Sequence, residues 1–247
     1  MPVFKREFMK NLKGLIIWAL SIAGLLALML GQFKAMDSSL DVSGYTQQFK
    51  EAMGMDKIDM NTFLGYYAIK ASVVVTLFGG IYAAMLGSML VVKDESLLAR
   101  PVSRGKIAIG RLLAAVVNIL VFNLVILAVI LSVEYDQKVF WIVLGQFLLH
   151  MIFVSVGFLS AFVRIRSKAA MIMPVGLVLA TYVLTLIYGM SDKLEFVKYL
   201  SPFYYTDIKE IIANSGMNAV NTLVACALVC ICAALGYLVY TKRDLPS

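Results

Sequence analysis

The side chains of this sequence that could do chemistry are few, and most of them stand inside long apolar runs. Lys70 is the one cation within such a run, His150 is the only histidine, and Cys226, Cys230 and Cys232 share a single apolar stretch. His150 and Ser155 lie on different faces of a helix, so they do not make a nucleophile and base pair. His150 reads instead as a polar residue hydrogen-bonded to a neighbouring helix. Cys226 and Cys230 share a helical face, but two thiols without further ligands fall short of a metal site, and no metal is expected. No G-x-x-x-x-G-K-[ST] loop is present to cradle phosphates, and neither H-E-x-x-H nor G-x-S-x-G occurs. ATP hydrolysis by that route is therefore outside this chain, and nothing supports a covalent enzyme.

The densest charge falls elsewhere, in LVVKDESLLARPVSRGKIAIGRLL over Leu90–Leu113. There Lys93, Arg100, Arg104, Lys106 and Arg111 stand against Asp94 and Glu95 alone. Leu97, Leu98 and Val102 are apolar residues beside a Pro101 that fixes the entry to the following helix. Apolar residues on a rigid charged turn suit a docking surface for a soluble partner. The plainer alternative is that they pack against the membrane interface or the first helix.

The elements that must position these residues follow from composition. A hydrophobic fraction of 61% with 15% charged residues lies outside the range of soluble domains, where about half the residues are apolar and about a quarter charged. The chain reads as one all-α integral membrane domain over 1–247. Ala71–Val92 and Leu112–Val133 carry no charge, and each can cross a hydrocarbon core of about 30 Å as a helix. Short loops rich in Lys and Arg stay cytoplasmic, so the turn at 93–111 orients everything else.

Taken along the chain, the spacing of Phe4, Phe8 and Leu12 among Lys5, Arg6, Lys10 and Lys13 predicts an amphipathic helix over 1–13. It would lie in the membrane interface with its cations toward lipid phosphates; a basic flank that merely orients the first span is the alternative. Six spans are expected at 14–33, 64–92, 112–133, 139–163, 169–190 and 220–240. The run Gly14–Phe33 exceeds the roughly 7 to 15 residues of a signal-peptide core, so it is read as a span. Residues 34–62 form an outer loop, and 192–216 short outer helices broken at Ser201–Pro202. Leu194, Phe196, Val197, Leu200, Phe203 and Tyr204 are too apolar for a free loop, so this segment folds back over the outer end as a re-entrant cover. Lys70, within two turns of the outer end, either snorkels to water as an anchor or belongs to a translocation path. Gly80 with Ala84, and Ala83 with Gly87, give small-xxx-small spacings that let a second helix approach closely.

Charge agrees with this topology. Cations outnumber acids in every segment assigned to the inside, and acids outnumber cations in every segment assigned outside. The net charge of +7 thus follows from the positive-inside rule and needs no nucleic acid. Both termini are expected in the cytoplasm. The spans hold no carboxylate on these boundaries, which weakens a proton relay or an aspartyl protease.

At this point the sequence resembles the membrane subunit of a bacterial ABC exporter of the ABC-2 permease class. The resemblance rests on VFKREFMKNLKG before the first span, LLARPVSRGKIAIGRLLA between the second and third, YLSPFYY after the fifth, and YTKRDL at the end. It implies that the loop between spans 2 and 3 carries a coupling helix seated in a groove of a separate ATPase subunit. Asp94, Glu95, Leu97, Leu98, Arg100, Pro101 and Arg104 would contribute to that contact. The family often has a longer acidic run with Gly-Thr before the paired leucines, where Lys93-Asp94-Glu95-Ser96 leads straight into Leu97 here. The resemblance further implies an interface helix carrying Phe4, Lys5, Phe8 and Leu12, and an outer gate including Phe196, Pro202, Phe203 and Tyr204. ATP and Mg would be bound by the partner subunit, and a second permease, identical or related, would complete the transporter. The expected cargo is amphipathic or lipophilic, a toxin or antimicrobial peptide among the candidates. The rival is a self-sufficient secondary transporter or channel, against which stand the missing intramembrane carboxylates and the lack of a visible inverted repeat. A membrane-embedded enzyme lacks a nucleophile and base, and an assembly subunit without transport would show no nucleotide dependence.

Overall fold

The computed structural model describes residues 2–35, 58–91, 103–160, 167–188 and 192–242. The regular elements among them are all helical, as an apolar solvent demands, because a helix satisfies its backbone N–H and C=O groups within one segment. α1 is Pro2–Ala35. α2 is a bent pair, Phe63–Ala71 and Val74–Met89, whose halves meet at 43°. α3 is Arg104–Val133, α4 Lys138–Leu159 and α5 Ser167–Tyr188. Two 3₁₀ segments follow, Asp192–Leu200 and Tyr204–Thr206, then a short α6, Ile208–Ala213, and finally α7, Ala219–Lys242. By length and composition α1, α3, α4 and α7 can each cross a membrane, the bent pair makes a fifth candidate when taken as one span, and Ile172–Tyr188 within α5 is a shorter apolar helix.

Two boundaries differ from the expected ones. The interface helix anticipated over 1–13 is not a separate element; it is the first turns of the continuous α1. The reason lies in its buried stripe. Val3 and Glu7 are in register with Leu15, Ala19, Ile22, Leu26 and Leu30, all buried, so one face packs on the bundle from end to end. The lone Gly14 at the expected junction costs a helix only about 1 kcal/mol. The second difference is that α3 begins eight residues before its expected start at 112. Ser103 caps it, its hydroxyl accepting from the Lys106 amide at 3.4 Å, and Arg104–Arg111 are helical rather than loop.

The core sits where α1, α2, α3 and α4 meet. Tyr82 of α2 stacks on Trp18 of α1 at 5.8 Å and meets Phe122 of α3 at 5.5 Å, and Phe122 in turn contacts the His150 ring of α4. α2 and α4 meet backbone to backbone. A Cβ on Gly87 would collide with the Val154 carbonyl, and one on Gly157 with the Ala84 carbonyl. The small residues expected to permit close approach, Gly80, Ala84, Ala83 and Gly87, thus face α4 or lie in the core beside it. Outward, Leu20 and Leu28 of α1, Ile172 and Val183 of α5, and Leu223 and Leu238 of α7 are exposed. A soluble protein could not leave so many large apolar side chains in water, whereas lipid tails solvate them as well as another leucine would.

Candidate functional site

Three places gather polar side chains. The first is at the basic end, beside the loop expected to dock. Arg111 of α3 and Glu7 of α1 are 1% and 2% exposed and form an ion pair at 3.4 Å. The same guanidinium donates from Nη1 to the Leu90 carbonyl at the end of α2, at 2.7 Å, and to the Tyr240 hydroxyl of α7, at 3.5 Å. One cation therefore binds α1, α2, α3 and α7 together. Val3 packs on Ile107 beside it, and a Cβ on Gly110 would press on Val3. Of the expected docking residues, Asp94, Glu95, Leu97, Leu98, Arg100 and Pro101 lie outside the described residues, and Arg104 opens α3. Phe4 and Phe8 stack on each other at 6.2 Å and are half-buried, with Lys5 exposed and Leu12 against the core. Glu7 falls in the stretch expected as an amphipathic interface helix and Arg111 in the turn expected to dock, and nothing in the spacing of either stretch pairs the two. The available signal was the register of Glu7 with the apolar stripe of α1.

The second is a polar file on α4 within the bundle. Gln146 donates from Nε2 to the Tyr67 hydroxyl at 2.8 Å. One turn on, His150 lies 3.1 Å from the Val75 carbonyl through Nε2 and 3.1 Å from Asn123 Nδ2 through Nδ1. A carbonyl only accepts, so Nε2 carries the proton and Nδ1 accepts from the amide. Asn123 also donates to the Ile119 carbonyl at 2.8 Å. His150 is thus a fully buried polar residue bonded to a neighbouring helix, as its place in an apolar run implied. Ser155 donates to the Met151 carbonyl of its own helix. Asn123 and Gln146 were overlooked, although polar residues in apolar spans are expensive and mark such networks.

The third is a cleft of about 90 Å³ at the opposite end, between α2, α5 and the 3₁₀ segments that follow α5. Its walls include Ser72, Val73, Thr76, Tyr182, Thr185 and Phe203. The Ser201–Pro202 corner is pinned to α5: Ser201 donates to the Thr181 carbonyl at 3.0 Å and shares a 2.8 Å bond with the Thr185 hydroxyl. This turns Phe203 inward onto Phe153 and Tyr182. Of the other expected gate residues, Phe196 is 67% exposed, and Tyr204 lies among Tyr188, Tyr199 and Tyr205 with the Lys198 ammonium 5.2 Å above its ring. Pro202 is half-buried at the corner. Cys226 and Cys230 are exposed on α7, and no group of three or more potential metal ligands occurs among the described residues.

Lys70 places its ammonium 5.7 Å over the Tyr66 ring, a contact worth about 0.5–1 kcal/mol at an exposed site. Removing the ammonium in Lys70→Met is expected to lower the melting temperature in detergent by about 2–4 °C, read by fluorescence.

No curated protein matches the chain. A family model described as ABC-2 family transporter protein matches residues 1–245, and the apolar helices make a multi-pass membrane protein. On that match over nearly its whole length, the chain belongs to the ABC-2 family of transporter proteins and is the membrane permease component of a transporter.

Proposed function

We propose that this chain is one half of the membrane path of an ATP-driven exporter, moving an amphipathic or lipophilic cargo outward. The family works with an ATPase subunit, and the turn between α2 and α3 is where we place its docking. In this reading α5 is the sixth crossing, both termini are cytoplasmic, and a second permease covers part of the exposed apolar helices. Peptide toxins or antimicrobial peptides suit apolar crossings better than ions do. The chain itself binds no nucleotide; ATP and Mg belong to the ATPase.

The observation that carries the reading is the buried pair of Glu7 and Arg111 at the foot of the loop. A loop pushed by a partner does work only if the helices at its two ends move together. Arg111 lies on the helix leaving the loop and holds the last carbonyl of the helix entering it. It also holds α1 and α7. Force at the loop would therefore reach four helices as one body rather than dissipate in one.

Charge reversal at the loop tests this. Arg100→Glu with Arg104→Glu is expected to lower transport and stimulated ATPase activity together, at least tenfold, and to lose the ATPase subunit from mild-detergent pull-downs. Full transport by the double variant would sink the assignment.

A further inference from the structure

α2 contains two π-helical segments, Tyr67–Ala71 and Val74–Phe78. No proline lies between Phe63 and Met89 to cause them. The run Val73-Val74-Val75-Thr76 is β-branched and weak in helix preference. The Ser72 and Thr76 hydroxyls donate back to the carbonyls of Ala68 and Ser72, at 2.7 and 2.9 Å, which bends helices. These features favour a distortion but leave open which residues take it up.

α4 makes that selection. His150 donates to the Val75 carbonyl inside the second π segment. Gly79, directly after it, leaves the imidazole its space, since a Cβ there would stand 2.5 Å from Nε2. Gln146 holds Tyr67 at the start of the first segment. A π turn contains one residue more than an α turn. Closing the second segment to α geometry would therefore turn one half of α2 against the other by about 100° and shift it about 1.5 Å. The half Gly79–Met89 is not free to turn, because Gly87 and Gly157 lock it backbone to backbone on α4. The half Phe63–Ala71 is held by side chains instead, Tyr66 donating to the Met29 carbonyl and Tyr67 accepting from Gln146, contacts that can exchange partners on a turn, and its Ala68 and Ile69 line the cleft.

We infer that Val74–Phe78 is a one-residue register switch, held in its π form by His150, whose closure turns the outer half of α2 and gives the cleft a different wall. Each residue of that half then occupies the place of the one before it. What drives the closure, nucleotide binding at a partner, rests on the transport reading above; the switch itself does not.

Phe33 of α1 reports the register, because its ring meets Phe63 at 5.9 Å, and after closure Leu64 stands where Phe63 stood. The test uses the assembled transporter in native membranes, with Cys226, Cys230 and Cys232 replaced by alanine. Thiol cross-linking compares Phe33→Cys with Phe63→Cys against Phe33→Cys with Leu64→Cys. With His150 present, the first pair is expected to link and the second weakly; His150→Leu should raise the ratio of second to first at least fivefold. Trapping the wild type with ATP and vanadate should shift the ratio the same way. An unchanged ratio in His150→Leu overturns the switch. A change in His150→Leu without one on trapping keeps the switch and removes the ATP-driven reading. Should His150→Leu not reach the membrane, Gly79→Ala displaces the imidazole from the Val75 carbonyl, because its Cβ would stand 2.5 Å from Nε2, and is expected to move the ratio in the same direction; no movement there overturns the inference equally.

Discussion

Replacing Arg111 by methionine is expected to destabilise the bundle by about 3–5 kcal/mol, because it leaves the Glu7 carboxylate buried without its counter-charge. The loss also frees the Leu90 carbonyl that the guanidinium satisfies. Glu7→Leu should cost less, since the guanidinium loses its counter-charge but keeps its bonds to the Leu90 carbonyl and the Tyr240 hydroxyl. The informative variant is the double one. Replacing both partners by apolar residues of similar size is often neutral in buried pairs, so Glu7→Leu with Arg111→Met should recover most of the lost melting temperature. A fluorescence melt in detergent, read on Trp18 and Trp141, measures this as a fall on the order of 10 °C for Arg111→Met and a smaller one for Glu7→Leu. If the double variant melts no higher than the worse single, the pair is not a coupled unit. If it recovers stability and full coupled ATPase activity, the pair holds the fold together but transmits nothing.

The second large effect is expected at the crossing of α2 and α4. Gly87→Val puts a branched side chain where a single Cβ already collides with the Val154 carbonyl. Neither side can yield, since the obstacle is backbone and Ser88 N and Gly87 Cα lie 2.9 and 3.0 Å from the Cβ position of Gly157 across the same contact. Overpacking that flexible side chains absorb costs about 1–3 kcal/mol; here the helices must separate, with loss of the Gln146 and His150 contacts between the same two helices. Gly87→Val should therefore give no monodisperse peak in size-exclusion chromatography. Gly24→Ala, at a position with nothing within 4 Å of the added Cβ, is the control and should gain about 0.5–1 kcal/mol. A normal peak from Gly87→Val would mean that α2 and α4 do not cross where the structure puts them.

Much of this protein was legible in its sequence because a bilayer allows so few solutions. Uninterrupted apolar runs become helices since lipid offers the backbone no partner. Ser201–Pro202 breaks the outer segment where no helix can continue, and the small residues of α2 sit where another helix comes closest. The family was readable too, from motifs at both ends and between the second and third spans. Those are local properties, carried by composition and by neighbours a few residues apart.

What only the tertiary structure decided depends on partners far away in the chain. Glu7 is one acid among the cations of the expected interface helix, and only its pairing with Arg111, far along the sequence, gives it a buried partner. The interface helix looked separate because its charges differ from those of the span after it, yet packing along one continuous stripe outweighs that change of polarity. The β-branched run and the Ser72 and Thr76 hydroxyls of α2 favour a distortion without placing it, because its register is chosen by Gln146 and His150 on another helix. Periodicity tells which residues share a face of one helix; it holds no information about which polar group on a second helix will meet them. That depends on rotation and crossing angle, which the chain settles only when the helices pack.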